Sequence, residues 1–154
     1  MRNKAWVRKQ FELFKSPKRR PQYRDVLLIT SFIETVIKDI ASSSKCTKPN
    51  NKCPKANFKR SLEVLGLRID SNNEKKSTYE PGCQHRKDCL KRINVVRVQR
   101  NELLHDIIKR RLPPKYIDGT IKKMTKNIQQ ICTKSSAVRS YFVTNYRFDP
   151  ALLV

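Results

Sequence analysis

Ile117, Ile121, Met124, Ile128 and Ile131 stand at intervals of 4, 3, 4 and 3 residues. A backbone that turns every ~3.6 residues brings such positions onto one side. The segment therefore predicts an α-helix with a single apolar stripe and with Lys122, Lys123 and Lys126 on its opposite face. The same spacing recurs upstream. Val26, Ile29, Phe32, Ile33, Val36, Ile37 and Ile40 predict a helix over about residues 22–41, entered at Pro21 and ended by Ser42-Ser43-Ser44. Phe58, Leu62, Leu65 and Ile69 predict a shorter second helix, which Gly66 either ends or weakens. Cys89, Ile93, Val96, Leu103 and Ile107 predict a third over about residues 87–111. Arg100 interrupts its stripe and Pro113-Pro114 stops it.

Between these helices the composition changes. Residues 45–54 are polar and carry Pro49 and Pro54, so they read as a loop. Residues 70–82 are polar and end in Ser77-Thr78-Tyr79-Glu80-Pro81-Gly82, which reads as a loop or a short β-ribbon. The expected fold is mainly α: four or more helices in a small bundle, with a short β-ribbon or loop between helices two and three. A basic N-terminal arm covers residues 1–20, a single helical domain 21–148 and a C-terminal tail 149–154.

Charge narrows the function. The chain of 154 residues carries 35 Lys and Arg against 13 Asp and Glu, a formal charge of +22. Such an excess opposes compaction until an anion neutralises it. The basic residues run from Arg2 to Arg147 rather than collecting beside one amphipathic helix, so nucleic acid is favoured over a membrane surface. No apolar run exceeds four residues, as in Val26-Leu27-Leu28-Ile29, so no spanning helix and no membrane partner are expected. Gly66, Gly82 and Gly119 cannot build a Gly-rich phosphate loop, which disfavours nucleotide enzymes. The N-terminus lacks the apolar core of a secretory signal. Its basic residues, with Glu12 as the single acid before Lys18, suit a mitochondrial import signal or an RNA-binding arm.

Candidate chemistry is sparse. Arg100-Asn101-Glu102-Leu103-Leu104-His105 resembles the motif of the HEPN (higher eukaryote and prokaryote nucleotide-binding) ribonucleases. In that alternative, Arg100 holds a scissile phosphate and His105 moves a proton of the 2′-hydroxyl. Against it, Arg100 meets an RNA phosphate and His105 is an ordinary helical residue. Cys46, Cys53, Cys83, His85 and Cys89 lack the close pairing of zinc ligands, so reduced thiols are expected, with no metal and no cofactor. Two histidines and scattered acids support no catalytic set, and no enzyme activity is expected. The basic clusters Lys18-Arg19-Arg20, Lys59-Arg60, Lys75-Lys76, Arg86-Lys87, Lys91-Arg92 and Lys109-Arg110-Arg111 favour phosphate contacts. Trp6, Tyr23, Tyr79, Tyr141 and Tyr146 either stack on bases or pack in the core.

A series of segments then falls in a recognisable order. Residues Pro21 to Glu34 resemble the opening helix "P-x-Y-x-x-x-L-[VI]-x-x-F-[IV]-N", and Phe58 to Leu65 resemble "F-x-x-A-L-E-N-V". Lys75-Lys76-Ser77-Thr78-Tyr79-Glu80-Pro81 is similar to the ribbon "R-R-V-G-G-x-T-Y-Q-V-P", and Arg86 to Leu90 to "R-R-x-x-L". Ser136-Ala137-Val138-Arg139 is similar to "G-x-A-V-K", and Phe142 with Asn145-Tyr146-Arg147-Phe148 to "A-F-A-H-Y-R-W". In these motifs the chain resembles the small-subunit ribosomal protein seven family. It departs in lacking the ribbon glycines, in a shortened C-terminal helix and in extra residues around Arg100 to Ile117.

The resemblance implies a structural constituent of the small ribosomal subunit. Such a protein binds the 3′ major (head) domain of small-subunit rRNA, near the mRNA exit and the exit-site tRNA. Ribosomal proteins of the head and platform are the implied partners. The departures imply a mitochondrial-matrix ribosome and an organelle-encoded chain, the bacterial cytoplasm being the alternative. Carried over by motif, the rRNA-contact residues are Tyr23, Lys75, Lys76, Thr78, Tyr79, Arg86, Arg139, Tyr146 and Arg147. Charge alone adds Lys18, Arg19 and Arg20.

Overall fold

The computed structural model describes residues 23–43, 57–109 and 114–147, together with Ala5 and Asp149. Within these, the apolar stripes become helices: α1 (Tyr23–Ser43), α2 (Phe58–Val64), α3 (Leu90–Lys109), α4 (Pro114–Lys134) and α5 (Ser136–Tyr146). Strands β1 (Leu67–Ile69) and β2 (Ser77–Tyr79) form an antiparallel ribbon between α2 and α3, and a 3-10 turn covers Arg86–Asp88. The protein is thus mainly helical, with a ribbon between helices two and three. The expected arm at residues 1–20 lies outside the described residues, and so do Cys46 and Cys53. No helix among the described residues is long and apolar enough to cross a membrane.

The core follows the stripes. Val26, Ile29, Ile33, Val36 and Ile37 of α1 meet Ile121, Met124, Ile128 and Ile131 of α4, and Leu90, Ile93, Val96 and Leu103 of α3 pack beside them. Phe142 of α5 and Leu62 of α2 belong to the same core. Each fully buried side chain contributes about 1.5–3 kcal/mol against chain entropy.

Two expectations are corrected. Ile69 keeps the spacing of the second helix but lies in β1, because the helix stops at Gly66. Gly66 adopts φ +104°, its carbonyl accepts the Glu80 N–H at 2.8 Å, and a Cβ built there would lie 2.7 Å from Cys83 Sγ. Both the backbone conformation and the close approach call for glycine. Gly66→Ala is therefore expected to destabilise the protein by about 1–3 kcal/mol, read as a lower urea midpoint at unchanged slope. An unchanged midpoint would contradict this account.

Cys89, placed by its spacing within a helical stripe, instead sits in the left-handed region (φ 58°) between the 3-10 turn and α3. Its carbonyl accepts the Ile93 N–H at 2.9 Å and so starts α3. α3 is described to Lys109, ahead of Pro113-Pro114, and Pro114 is itself the first residue of α4, where its missing N–H is harmless.

Asp88 anchors the turn. It is 8% exposed and accepts hydrogen bonds from Ser136 Oγ (2.7 Å) and the Ala137 N–H (3.1 Å), while His85 Nδ1 lies 2.9 Å from its other oxygen. A carboxylate at the N-terminus of α5 is favoured by the helix dipole. It also fixes the segment that carries Arg86 against the bundle.

Candidate nucleic-acid interface

The ribbon is short, yet it stands in a defined place because a polar clamp holds its turn. Glu74 accepts hydrogen bonds from Lys59 Nζ (2.7 Å) on α2 and from Arg97 on α3 (3.1 Å). Asn94 donates to the Glu74 carbonyl at 2.7 Å and accepts from Arg97 Nε at 3.1 Å. The hydrogen bonds from Lys59 and Arg97 outweigh burial and hold the Glu74 carboxyl below the usual carboxylate range. Leu67, buried, faces the core, while Arg68 and Thr78, opposite one another in the register, are exposed.

Held this way, the ribbon, the 3-10 turn and the start of α3 enclose a groove of ≈ 960 Å³. Six cations line it: Arg68, Lys75, Lys76, Arg86, Lys91 and Arg92, with Asp70 as the single acid. Arg68 lies 3.7 Å from Glu80 and Lys75 3.1 Å from Glu102. Lys76, Arg86, Lys91 and Arg92 have no carboxylate partner among the described residues. Arg92 instead donates to Asn127 of α4 at 3.4 Å, which carries the groove wall onto a second helix.

Tyr79 organises two of these cations. The Arg86 guanidinium lies 5.8 Å and the Lys91 ammonium 5.2 Å from its ring centroid. Each such contact is worth about 0.5–1 kcal/mol at an exposed site. The Lys91 N–H points at the Tyr79 hydroxyl at 3.5 Å. Burial pushes that hydroxyl's pKa up. Cys89 also lines the groove, and burial raises its thiol above the usual range. The buried Cys132 thiol is pushed up to about 12.

The groove brings together Lys75, Lys76, Thr78, Tyr79 and Arg86 of the expected contact residues. Others lie elsewhere. Tyr146 is a correction: it is 8% exposed and packs at 5.4 Å ring-to-ring on Phe142, so its face is not offered to a base. Arg139 is held by Asp149 in a two-point pair at 3.2 and 2.9 Å, and Arg147 is an exposed residue in the left-handed cap of α5. Tyr23 begins α1, and Lys18, Arg19 and Arg20 lie outside the described residues. Lys91-Arg92 come from the basic clusters read as phosphate contacts, whereas Arg68 and Asn127 were not singled out by sequence. Arg68 becomes visible only with the register that sets it opposite Thr78. Lys91-Arg92 stood out as a basic cluster, and their place in the first turn of α3 was the available signal.

Arg100 and His105 are set apart. Arg100 is 16% exposed on its side chain, pairs with Glu34 of α1 and lies 5.4 Å from the Phe58 ring. Burial works to raise the Glu34 carboxyl, but hydrogen bonds from Lys38 and Arg100 outweigh it and bring its pKa down. His105 is exposed, and five residues of α-helix place it ~140° around the axis from Arg100. Arg100 is thus engaged by Glu34 and leaves α3 on a different side from His105. Among the described residues, no group of three His, Cys, Asp or Glu side chains is arranged to hold a metal.

Comparison with protein-family models, with curated proteins and with solved structures gives no match.

Proposed function

We propose that this chain is a structural protein of the small subunit of a mitochondrial ribosome, binding the 3′ major domain of small-subunit rRNA and supporting assembly of the head. The observation that carries the reading is the groove with four cations that have no carboxylate partner among the described residues. Concave basic surfaces concentrate a polyanion's phosphates, and release of their counterions drives binding. The order of the elements also supports it: two helices, a ribbon and a further helix coincide with the segments that resemble the ribosomal family.

Two measurements test this reading. Tagged protein should co-sediment with small ribosomal subunits and protect one rRNA domain from hydroxyl radicals; free protein with no rRNA protection would overturn the assignment. For purified protein, log affinity for that rRNA should fall against log salt with a slope of about 3–4, from ~0.7–0.9 per phosphate over the four cations. A slope near one would contradict multiple phosphate contacts.

A further inference from the structure

Away from the groove, the described carboxylates mostly hold the fold. Glu34 pairs with Lys38 and Arg100, Glu63 with Arg60, Glu74 with Lys59 and Arg97, and Asp149 with Arg139. This leaves α4 conspicuously unneutralised. Lys122, Lys123, Lys126 and Lys134 are exposed and form no ion pair among the described residues. Asp118, the one acid of α4, lies a turn before Lys122 and makes no ion pair with it.

The four lysines divide by direction. Lys123 is one turn from Asn127, which lines the groove, and Lys134 ends the helix, about two turns beyond Asn127. Lys122 and Lys126 point elsewhere: at ~100° per residue they stand ~140° and ~100° around the helix from Asn127. They are also i,i+4 neighbours, a like-charge pairing that costs about 0.2–0.5 kcal/mol unless an anion offsets it. The apolar stripe of α4 (Ile121, Met124, Ile128, Ile131) is buried in the bundle. Apart from the exposed Tyr116, α4 thus has no apolar face to enter a bilayer, which favours a phosphate backbone over a lipid surface.

We propose that the outer face of α4, centred on Lys122 and Lys126, is a second phosphate-binding surface for a separate RNA segment. The protein then bridges two RNA segments, one in the groove and one on α4. The bridge rests on the reading of the groove as an RNA site, but not on the ribosomal assignment.

The test mixes the full chain with two short RNA duplexes, one carrying a donor fluorophore and the other an acceptor. Wild-type protein should bind two duplexes and produce energy transfer. Lys122→Glu/Lys126→Glu, both at exposed positions and checked for native circular dichroism, should still bind one duplex and lose the transfer. Its total salt slope should be lower by about 2. Lys76→Glu/Lys91→Glu should lose the transfer too while keeping one duplex on α4. Undiminished transfer in the α4 variant, one duplex per wild-type chain, or capture of anionic vesicles in place of duplex would each overturn the bridge. Loss of all binding in the groove variant, with the α4 variant behaving as wild type, would retain the groove and reject the second surface. Failure to co-sediment with ribosomes, with the transfer pattern intact, would reject the ribosomal assignment and retain the bridge.

Discussion

On the proposed reading of the groove as an rRNA site, replacing Lys76, Arg86 and Lys91 together by glutamate is expected to weaken binding of small-subunit rRNA about a hundredfold or more. The slope of log affinity against log salt should fall by about 2–3, because three phosphate contacts are lost. All three side chains line the groove, and none has a carboxylate partner among the described residues. Their charge therefore acts on what enters the groove rather than on the bundle. Stability should change little, since exposed substitutions usually stay within about 0.5 kcal/mol each, and relief of self-repulsion acts in the stabilising direction. The loss of two ring contacts to Tyr79 is the counterweight. Filter binding over a salt series, beside thermal melts of both proteins, checks the separation. A folded variant with wild-type affinity would remove the groove from the interface.

Glu74→Ala is expected to act in the opposite way, through the fold. Arg97 is 4% exposed, and its charge is met by Glu74 and by Asn94. Without the carboxylate, a nearly buried guanidinium keeps only an amide partner. Breaking a fully buried pair costs about 3–5 kcal/mol, but the Glu74 side chain is 39% exposed and water softens the loss, so about 2–3 kcal/mol is expected. The ribbon turn also loses its hold on Lys59, so the groove should open and rRNA affinity fall with stability. Replacing Arg97 by Met in the Glu74→Ala background should recover part of the stability, because the uncompensated charge is then gone.

The pH dependence of this clamp has a definite sign. The folded carboxyl of Glu74 titrates below its unfolded value of ~4.3. Its contribution is fully present above that unfolded value and is lost as pH falls through the lower folded value. Urea unfolding at neutral and acid pH should therefore show wild type and Glu74→Ala converging in acid. A constant gap between them would contradict the assignment of the shift to this clamp.

How much of this was legible in the sequence depended on how local the cause was. The helices α1 and α4 were readable because their buried positions repeat with the period of the helix itself. In α3 the inward face includes Asn94, Arg97 and Gln99, so no clean apolar stripe exists. Those polar residues are tolerated because Glu74 and Asn127, from other elements, supply their partners. Arg100 looked like a break in a stripe, or a catalytic group, until Glu34 and Phe58 came against it from α1 and α2. Ile69 satisfied helical spacing, but the positive φ of Gly66 ended the helix first. In the interface, the cations of the ribbon and Arg86 were visible by motif. Lys91-Arg92 were visible as a basic cluster, but the contributions of Arg68 and Asn127 were not, since all of these share a groove only after the ribbon folds back on α3 and α4.

By itself, the sequence determined that this chain is a mainly helical, strongly cationic protein, because periodicity and net charge are properties of the chain read in order. The tertiary structure alone decided which cations are neutralised and which are left to face a ligand. Ion pairing depends on separation in space: Arg97 and Arg100 find their carboxylates on segments distant in the chain, whereas Lys76, Arg86, Lys91 and Arg92 find none among the described residues.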